Sequence, residues 1–347
     1  MNSKFVNMTL AQAKRLMGTK RDPKRRAALP VSTEPAPAAI PAHFNGTQAF
    51  PQCAGVIGHI RDQSDCGCCW AFGSTESFND RLCVATNATT LLSPQDTCSC
   101  CNSGHGCSSG GCDGGFTEDA FNYFMTYGLV SGGDSPDKGK GDSCFPYQLE
   151  QCGHHEASPL IPCPQVCSPG ECATPKCPTT CSEKTYATAW AADKRKAAGG
   201  AYRLTSVAQA QADIVKYGSI SAAFTVYSDF LTYTGGVYTH KSGSELGGHA
   251  VKIYGARLAC AAAALRALLP FHYPIHPRTA SLPLQAGAPP RRARTTGSLP
   301  TLGITSVCTR SFLWRLTLPL THAAPFPFLP HAIFSLPSPR DFHLQGA

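Results

Sequence analysis

An α+β fold in two lobes, helical in the first half and mainly β in the second, is what three features of this 347-residue chain predict. Apolar residues recur at helical spacing after Cys69 and again after Thr117, short strand-like runs follow Gly218, and nineteen cysteines point to a disulfide-rich body. A hydrophobic content of 42% suffices for a real core, in one large or two ordinary domains. Cysteine at this density argues for an oxidising compartment, and the sequons Asn7-Met8-Thr9, Asn45-Gly46-Thr47 and Asn87-Ala88-Thr89 agree with secretion.

Along the chain, residues 1–39 read as a leader that ends in the Pro/Ala-rich linker Pro30 to Pro41. Trp70, Phe72, Phe78 and Leu82 predict a buried helix from Cys69 to about Val84. Ser93-Pro94 reads as an N-cap with proline at the first helical position. Thr117 to Tyr127 reads as an amphipathic helix closed by Gly128. Ser206 caps a helix that Gly218 ends at Tyr217, and Ile220 to Tyr227, Gly236 to His240 and Gly248 to Tyr254 read as strands.

The net charge of +8 invites a nucleic-acid reading, but its distribution argues against one. Residues 1–255 are balanced, and the whole excess lies in 256–347, with nine Arg and the single acid Asp341. Within the first part a leader of net +6 precedes a body of net −6, which suits a basic segment lying on an acidic partner, held by an attraction that weakens as carboxylates protonate. An ordinary solvated basic arm has the same charge. Met1 to Phe5 leads into no apolar run of signal-peptide length, so the chain is expected to begin after its true amino terminus. Every apolar run is broken by Arg or Pro well short of a membrane span.

The chemistry concentrates in Gln63-Ser64-Asp65-Cys66-Gly67-Cys68-Cys69-Trp70, which puts a thiol where a helix begins. Unpaired N–H groups of a first helical turn stabilise a thiolate, and a nearby imidazolium lowers the thiol pKa further. A buried structural cysteine is the plain alternative for Cys69, and a packed core histidine the alternative for His249 in Gly247-Gly248-His249-Ala250-Val251. The order Gln63, Cys69, His249 supplies an oxyanion donor, a nucleophile and a base.

These residues resemble the Cys-Gly-[Ser/Ala]-Cys-[Trp/Tyr] signature of papain-like cysteine proteases, with Cys68 in place of the small residue. The resemblance implies a papain-like fold with a helical left lobe and a β-barrel-like right lobe. It also implies catalytic Cys69, His249 and Gln63, and a substrate groove lined by Gly67, Trp70, Gly114, Gly115 and Gly248. Cys69 and His249 are 180 positions apart, against about 130–150 in the general family. The surplus lies between Cys98 and Cys181, where Cys152-Gly153-His154-His155 followed by Cys163 looks like the occluding loop of the cathepsin B type, spanning about 144–181. In that type the paired histidines, here His154 and His155, hold a substrate's terminal carboxylate, and Asp62 pairs with His154 to pin the loop. Zinc on the two histidines is disfavoured, since no ligand spacing accompanies them.

The resemblance further implies bridges Cys53–Cys83, Cys66–Cys112, Cys100–Cys177, Cys101–Cys107, Cys144–Cys181 and Cys152–Cys163. Cys167 with Cys172 is a local extra pair, Cys69 stays free, and Cys68 and Cys98 have no counterpart. Residues 7–19 look like the end of a cathepsin B propeptide, so that cleavage near Ile40-Pro41 would release residues 40–255 as the peptidase domain. No cofactor or metal is implied. The implied partners are protein and peptide substrates, the chain's own propeptide and cystatin-like inhibitors. A monomer is implied, in a lysosomal, endosomal or secreted location.

After Gly255 the resemblance stops where Gly-Trp-Gly and later Asn-Ser-Trp should follow. Residues 256–347 turn Ala-, Pro-, Arg-, Leu- and His-rich, as translated noncoding or frameshifted sequence does; a disordered tail or an arginine-rich arm are the alternatives. The right lobe is then incomplete and the Asn that would orient His249 is missing, so the literal chain is expected to be inactive. Two rivals remain: a catalytically dead homologue that binds peptides or protease inhibitors, and a disulfide-rich binding module with no cleft.

Overall fold

A computed structural model describes residues 9–33, 40–41, 43–153, 159–167, 172–233, 237–257, 333–334 and 342–346. Its longest helix, Cys69–Thr86, is the axis of the molecule and is buried along most of its length. Asn87 ends it in the left-handed conformation, and the Cys53–Cys83 bridge ties its last turns to the preceding segment. On one side pack the helices Pro94–Cys100 and Thr117–Thr126. The first is capped by the Ser93 hydroxyl, which accepts the Asp96 N–H at 3.0 Å. The second is closed by Gly128 at φ 76. Trp70, Phe72, Phe78, Phe121, Phe124, Leu129 and Tyr147 fill this lobe's core.

The other side is β. The strands are β1 (His43–Asn45), β2 (Tyr202–Arg203), β3 (Ile220–Tyr227), β4 (Val237–Tyr238), β5 (Glu245–Ile253), β6 (Gly255–Arg257), β7 (Ile333–Phe334) and β8 (Phe342–Gly346). The main sheet runs β2-β8-β3-β5 and is antiparallel throughout, with β1-β6 and β4-β7 as separate pairs. Among the described residues the sheet stays open, without the closure of a barrel. The helix Val207–Tyr217, capped by Ser206 and followed by Gly218 at φ 97, packs on it. Of the stretch read as an unrelated tail, Ala256 and Arg257 of β6 pair with β1, β7 pairs with β4, and β8 pairs with β2 and β3.

The two lobes meet where the Cys69–Thr86 helix lies against β5. Gly73 makes the approach possible, since a Cβ there would stand 3.1 Å from the Val251 nitrogen. Further along, buried Lys252 reaches from β5 to Asp80 at 3.1 Å, Glu76 at 3.6 Å and the Ile57 carbonyl at 3.0 Å. Burial pushes both carboxyls up and the Lys252 ammonium draws them back. All seven pairings set out from the sequence are formed, and among the described residues Cys68, Cys69 and Cys98 remain thiols.

The leader has structure of its own. Thr9 and Gln12 form a reciprocal capping box that starts the helix Leu10–Arg15. Ala13, Leu16 and Met17 are buried in the same core as β3 and β5, so the leader completes the β lobe.

Candidate active site

Cys69 is the first residue of its helix, and its neighbour Cys68 takes the N-cap position. The loop before it is shaped by Asp62, whose carboxylate accepts the Ser64 N–H at 2.7 Å and that of Cys152; Ser64 turns at φ 57. That turn directs the Gln63 side chain inward, where its Nε2 donates to the Cys66 carbonyl at 2.8 Å and the Leu16 carbonyl at 3.3 Å. The Tyr147 hydroxyl holds the Gln63 backbone carbonyl from behind at 2.7 Å. His249 is carried on β5, opposite Phe224 of β3, and is fully buried. Its Nδ1 also lies 3.3 Å from the Leu16 carbonyl, so one carbonyl oxygen of the leader joins Gln63 and His249.

Three residues further on, the Thr19 hydroxyl lies 3.2 Å from the Cys69 sulfur, which also contacts the backbone of Ala250, the residue after His249. The leader passes between two glycine walls. Gly115 donates to the Gly18 carbonyl at 2.8 Å and accepts the Lys20 N–H at 2.8 Å, while the Gly248 carbonyl accepts the Thr19 N–H at 3.0 Å. A side chain on either wall would collide with the leader: a Cβ on Gly114 would stand 2.5 Å from the Gly18 carbonyl oxygen, and one on Gly248 2.3 Å from that of Thr19. Trp70 braces the Gly114–Gly115 side, donating from Nε1 to the Gly111 carbonyl at 3.1 Å.

Arginines of the leader pair with acids of the body. Arg15 meets Asp65 at 3.2 Å, Arg21 meets Glu245, and Arg25 meets Asp119 and, at 3.4 Å, Glu118. The chemistry beneath is held neutral. Burial raises the Cys69 thiol above its ordinary range and lowers the His249 imidazole to about 3, so a covered pair carries neither thiolate nor imidazolium.

Of the site residues read from the sequence, Gln63, Gly67, Cys69, Gly114, Gly115, Gly248 and His249 converge on leader residues 15–20, with Trp70 supporting the wall. Asp62 and the Cys152–Cys163 bridge lie to one side, joined through the Cys152 N–H, and burial moves the Asp62 carboxyl up to about 7. His154 and His155, and with them the Asp62–His154 pairing, lie outside the described residues. Sequence reasoning missed Leu16, Thr19 and Tyr147. A cap-like Thr9-Leu10-Ala11-Gln12 could have announced the leader helix, but nothing in the sequence singles out Tyr147.

A family model described as "Papain family cysteine protease" matches residues 40–257. The chain is 42% identical over 221 residues to cathepsin B-like cysteine proteinase 5 of Caenorhabditis elegans, covering 62% of each. It is 36% identical over 252 residues to a cathepsin B-like cysteine proteinase of Schistosoma japonicum, covering 71% of this chain and 70% of that one. Against the first of these relatives the chain therefore spans about three fifths of the relative's length. The solved structure of procathepsin B S9 from Trypanosoma congolense aligns with a TM-score of 0.56 at 28% identity, covering 72% of this chain and 74% of that one.

Proposed function

From the premise that this chain belongs to the papain family of cysteine proteases and has cathepsin B-like relatives, we propose that residues 40–255 are a peptidase domain held in a zymogen state by the leader. In this reading Cys69 is the nucleophile and His249 its base. Peptide bonds are cut by attack of the sulfur on the carbonyl carbon, the Cys69 proton passing to His249 and then to the leaving amine. Water hydrolyses the acyl-enzyme. Gln63 Nε2 and the Cys69 N–H hold the oxyanion. The observation that carries the proposal is the Leu16 carbonyl oxygen lying 3.3 Å from both Gln63 Nε2 and His249 Nδ1, with Thr19 on the Cys69 sulfur: a peptide already occupies the groove.

The leader is then an inhibitor. It buries the pair, and burial favours the uncharged thiol and imidazole over the thiolate and imidazolium. Removing it moves a proton from sulfur to imidazole without net uptake. Any acid dependence of release must therefore come from other groups, such as the carboxylates that face the leader arginines. The Cys152–Cys163 loop with His154 and His155 would close the primed end and add peptidyl-dipeptidase activity to endopeptidase activity. Substrates are unfolded proteins and peptides, cystatin-like inhibitors bind the same groove, and the setting is lysosomal, endosomal or secreted.

No Asn follows Asn122 in this sequence, so the literal chain lacks an asparagine to orient His249 and turns over little or no substrate. Reactivity of the thiol is the test. Iodoacetamide should leave Cys69 of the full chain unlabelled at mildly acidic pH and label it once the leader has been cleaved near Ile40-Pro41 and removed by dilution. Gln63→Ala should reduce any measurable peptide hydrolysis about 10²–10³-fold. A Cys69 equally inert with and without the leader refutes the enzyme reading in favour of a dead, peptide-binding homologue.

A further inference from the structure

Among the described residues two free cysteines have no place in that mechanism, Cys68 and Cys98, and the fold brings them together. Cys68 precedes the proposed nucleophile; Cys98 lies on the Pro94–Cys100 helix; both are buried thiols. The Cys68 side chain hydrogen-bonds with Cys98 and with the Tyr147 hydroxyl, the latter at 3.2 Å. The Cys98 sulfur in turn lies within 4.8 Å of the sulfurs of Cys66 and Cys112, which are bonded to each other. Three cysteines at that spacing could read as a metal site, but the bridge uses two of the three sulfurs and leaves no thiolate set. What remains is a buried cluster of four sulfurs, two reduced and two oxidised, behind the cleft wall.

We propose that Cys66, Cys68, Cys98 and Cys112 form a thiol–disulfide exchange centre in which the bridge relocates from Cys66–Cys112 onto Cys98. The deprotonated Cys98 sulfur attacks one sulfur of the bridge. A new bond from Cys98 forms as the Cys66–Cys112 bond breaks, and the expelled sulfur takes the proton that Cys98 gave up. Cys68 then attacks the Cys98 sulfur, which yields a Cys68–Cys98 bridge and leaves Cys66 and Cys112 as thiols. Each step makes one S–S bond and breaks one, so no oxidant or reductant enters. No partner has to travel far, because the Cys98 sulfur lies within 4.8 Å of both bridge sulfurs and hydrogen-bonds with Cys68.

The consequence is mechanical. Cys66 gives its carbonyl to Gln63, and Cys112 sits in the turn Gly111–Asp113 that leads into Gly114 and Gly115. The native bridge ties the Gln63 side of the groove to its glycine wall, and relocation unties them. Burial and the Cys98 contact raise the Cys68 thiol well above its ordinary range, so the second step is quiet in acid and quickens in alkali.

The test uses the full chain, incubated without added thiol or oxidant at acidic and alkaline pH, quenched in acid, alkylated with N-ethylmaleimide after denaturation, and mapped as unreduced peptides. Expected are peptides joining Cys98 to Cys66, Cys112 or Cys68 beside the native pair, forming at least about tenfold faster at alkaline than at acidic pH, and absent from Cys98→Ser. A map with Cys66–Cys112 alone, and with Cys68 and Cys98 both alkylated at every pH, overturns the proposal. The wild-type map decides even where Cys98→Ser does not fold. A Cys69→Ser background separates this inference from the protease reading. Exchange that persists there supports Cys98 as the attacking thiol, and exchange that vanishes assigns the attack to Cys69 and overturns it.

Discussion

Gly18 shows how little room the groove leaves at the scale of one residue. A Cβ there would stand 1.5 Å from the Gly67 carbonyl oxygen, and backbone cannot yield as a flexible side chain can. Overpacking of this kind costs about 1–3 kcal/mol, so Gly18→Ala should unseat the leader and raise the rate of Cys69 labelling in the uncleaved chain by about tenfold or more. An unchanged rate would mean that the leader does not guard the thiol. Asp62 makes a second prediction. Its folded pKa of about 7 lies above the ordinary 3.8, so the folded protein holds a proton that the unfolded one gives up, and stability is lost as pH rises through that window. Asp62→Asn keeps an acceptor for Ser64 and Cys152, so its melting temperature should gain on the wild type between about pH 5 and about pH 8; a shrinking gap would count against the burial argument. Gln63, Cys69 and His249 were legible in the sequence because motif and order mark them. Leu16 and Thr19 were not, because their contacts cross 233 and 50 positions and leave no local pattern.

Among elements, the Cys69–Thr86 helix was readable from apolar spacing, and the helices after Ser93, Thr117 and Ser206 from their caps and closing glycines. The strand bearing His249 starts three residues earlier than its apolar run, at Glu245, because pairing with β3 extends it past Gly247 and Gly248. Nothing in the sequence singles out Lys252, yet it is the bolt between the Cys69–Thr86 helix and β5, with Glu76 and Asp80 both on the helix side. Removing one partner of a buried ion pair leaves the others uncompensated. Lys252→Ala should therefore cost about 3–5 kcal/mol in denaturant unfolding, and a loss below about 1 kcal/mol would assign the pair to a solvated surface. The strand β8 went unseen because Phe342 and Leu344 alternate over too short a run in a stretch without other periodicity.

For the whole molecule, the division of charge seen in the sequence reappears as contacts, with Arg15, Arg21 and Arg25 of the leader on acids of both lobes. Raising ionic strength from about 0.05 M to about 0.5 M shortens the Debye length severalfold and should speed Cys69 labelling of leader-cleaved protein severalfold; salt-independent labelling would leave the attachment to the apolar contacts and the hydrogen bonds. Those apolar contacts carry a consequence for the proposed release of the leader. Ala13, Leu16 and Met17 belong to the interior of the β lobe, so hydrolysis of the linker severs a tether without emptying the groove. The cut merely turns an intramolecular occupant, present at millimolar effective concentration, into a diffusible ligand whose departure depends on dilution.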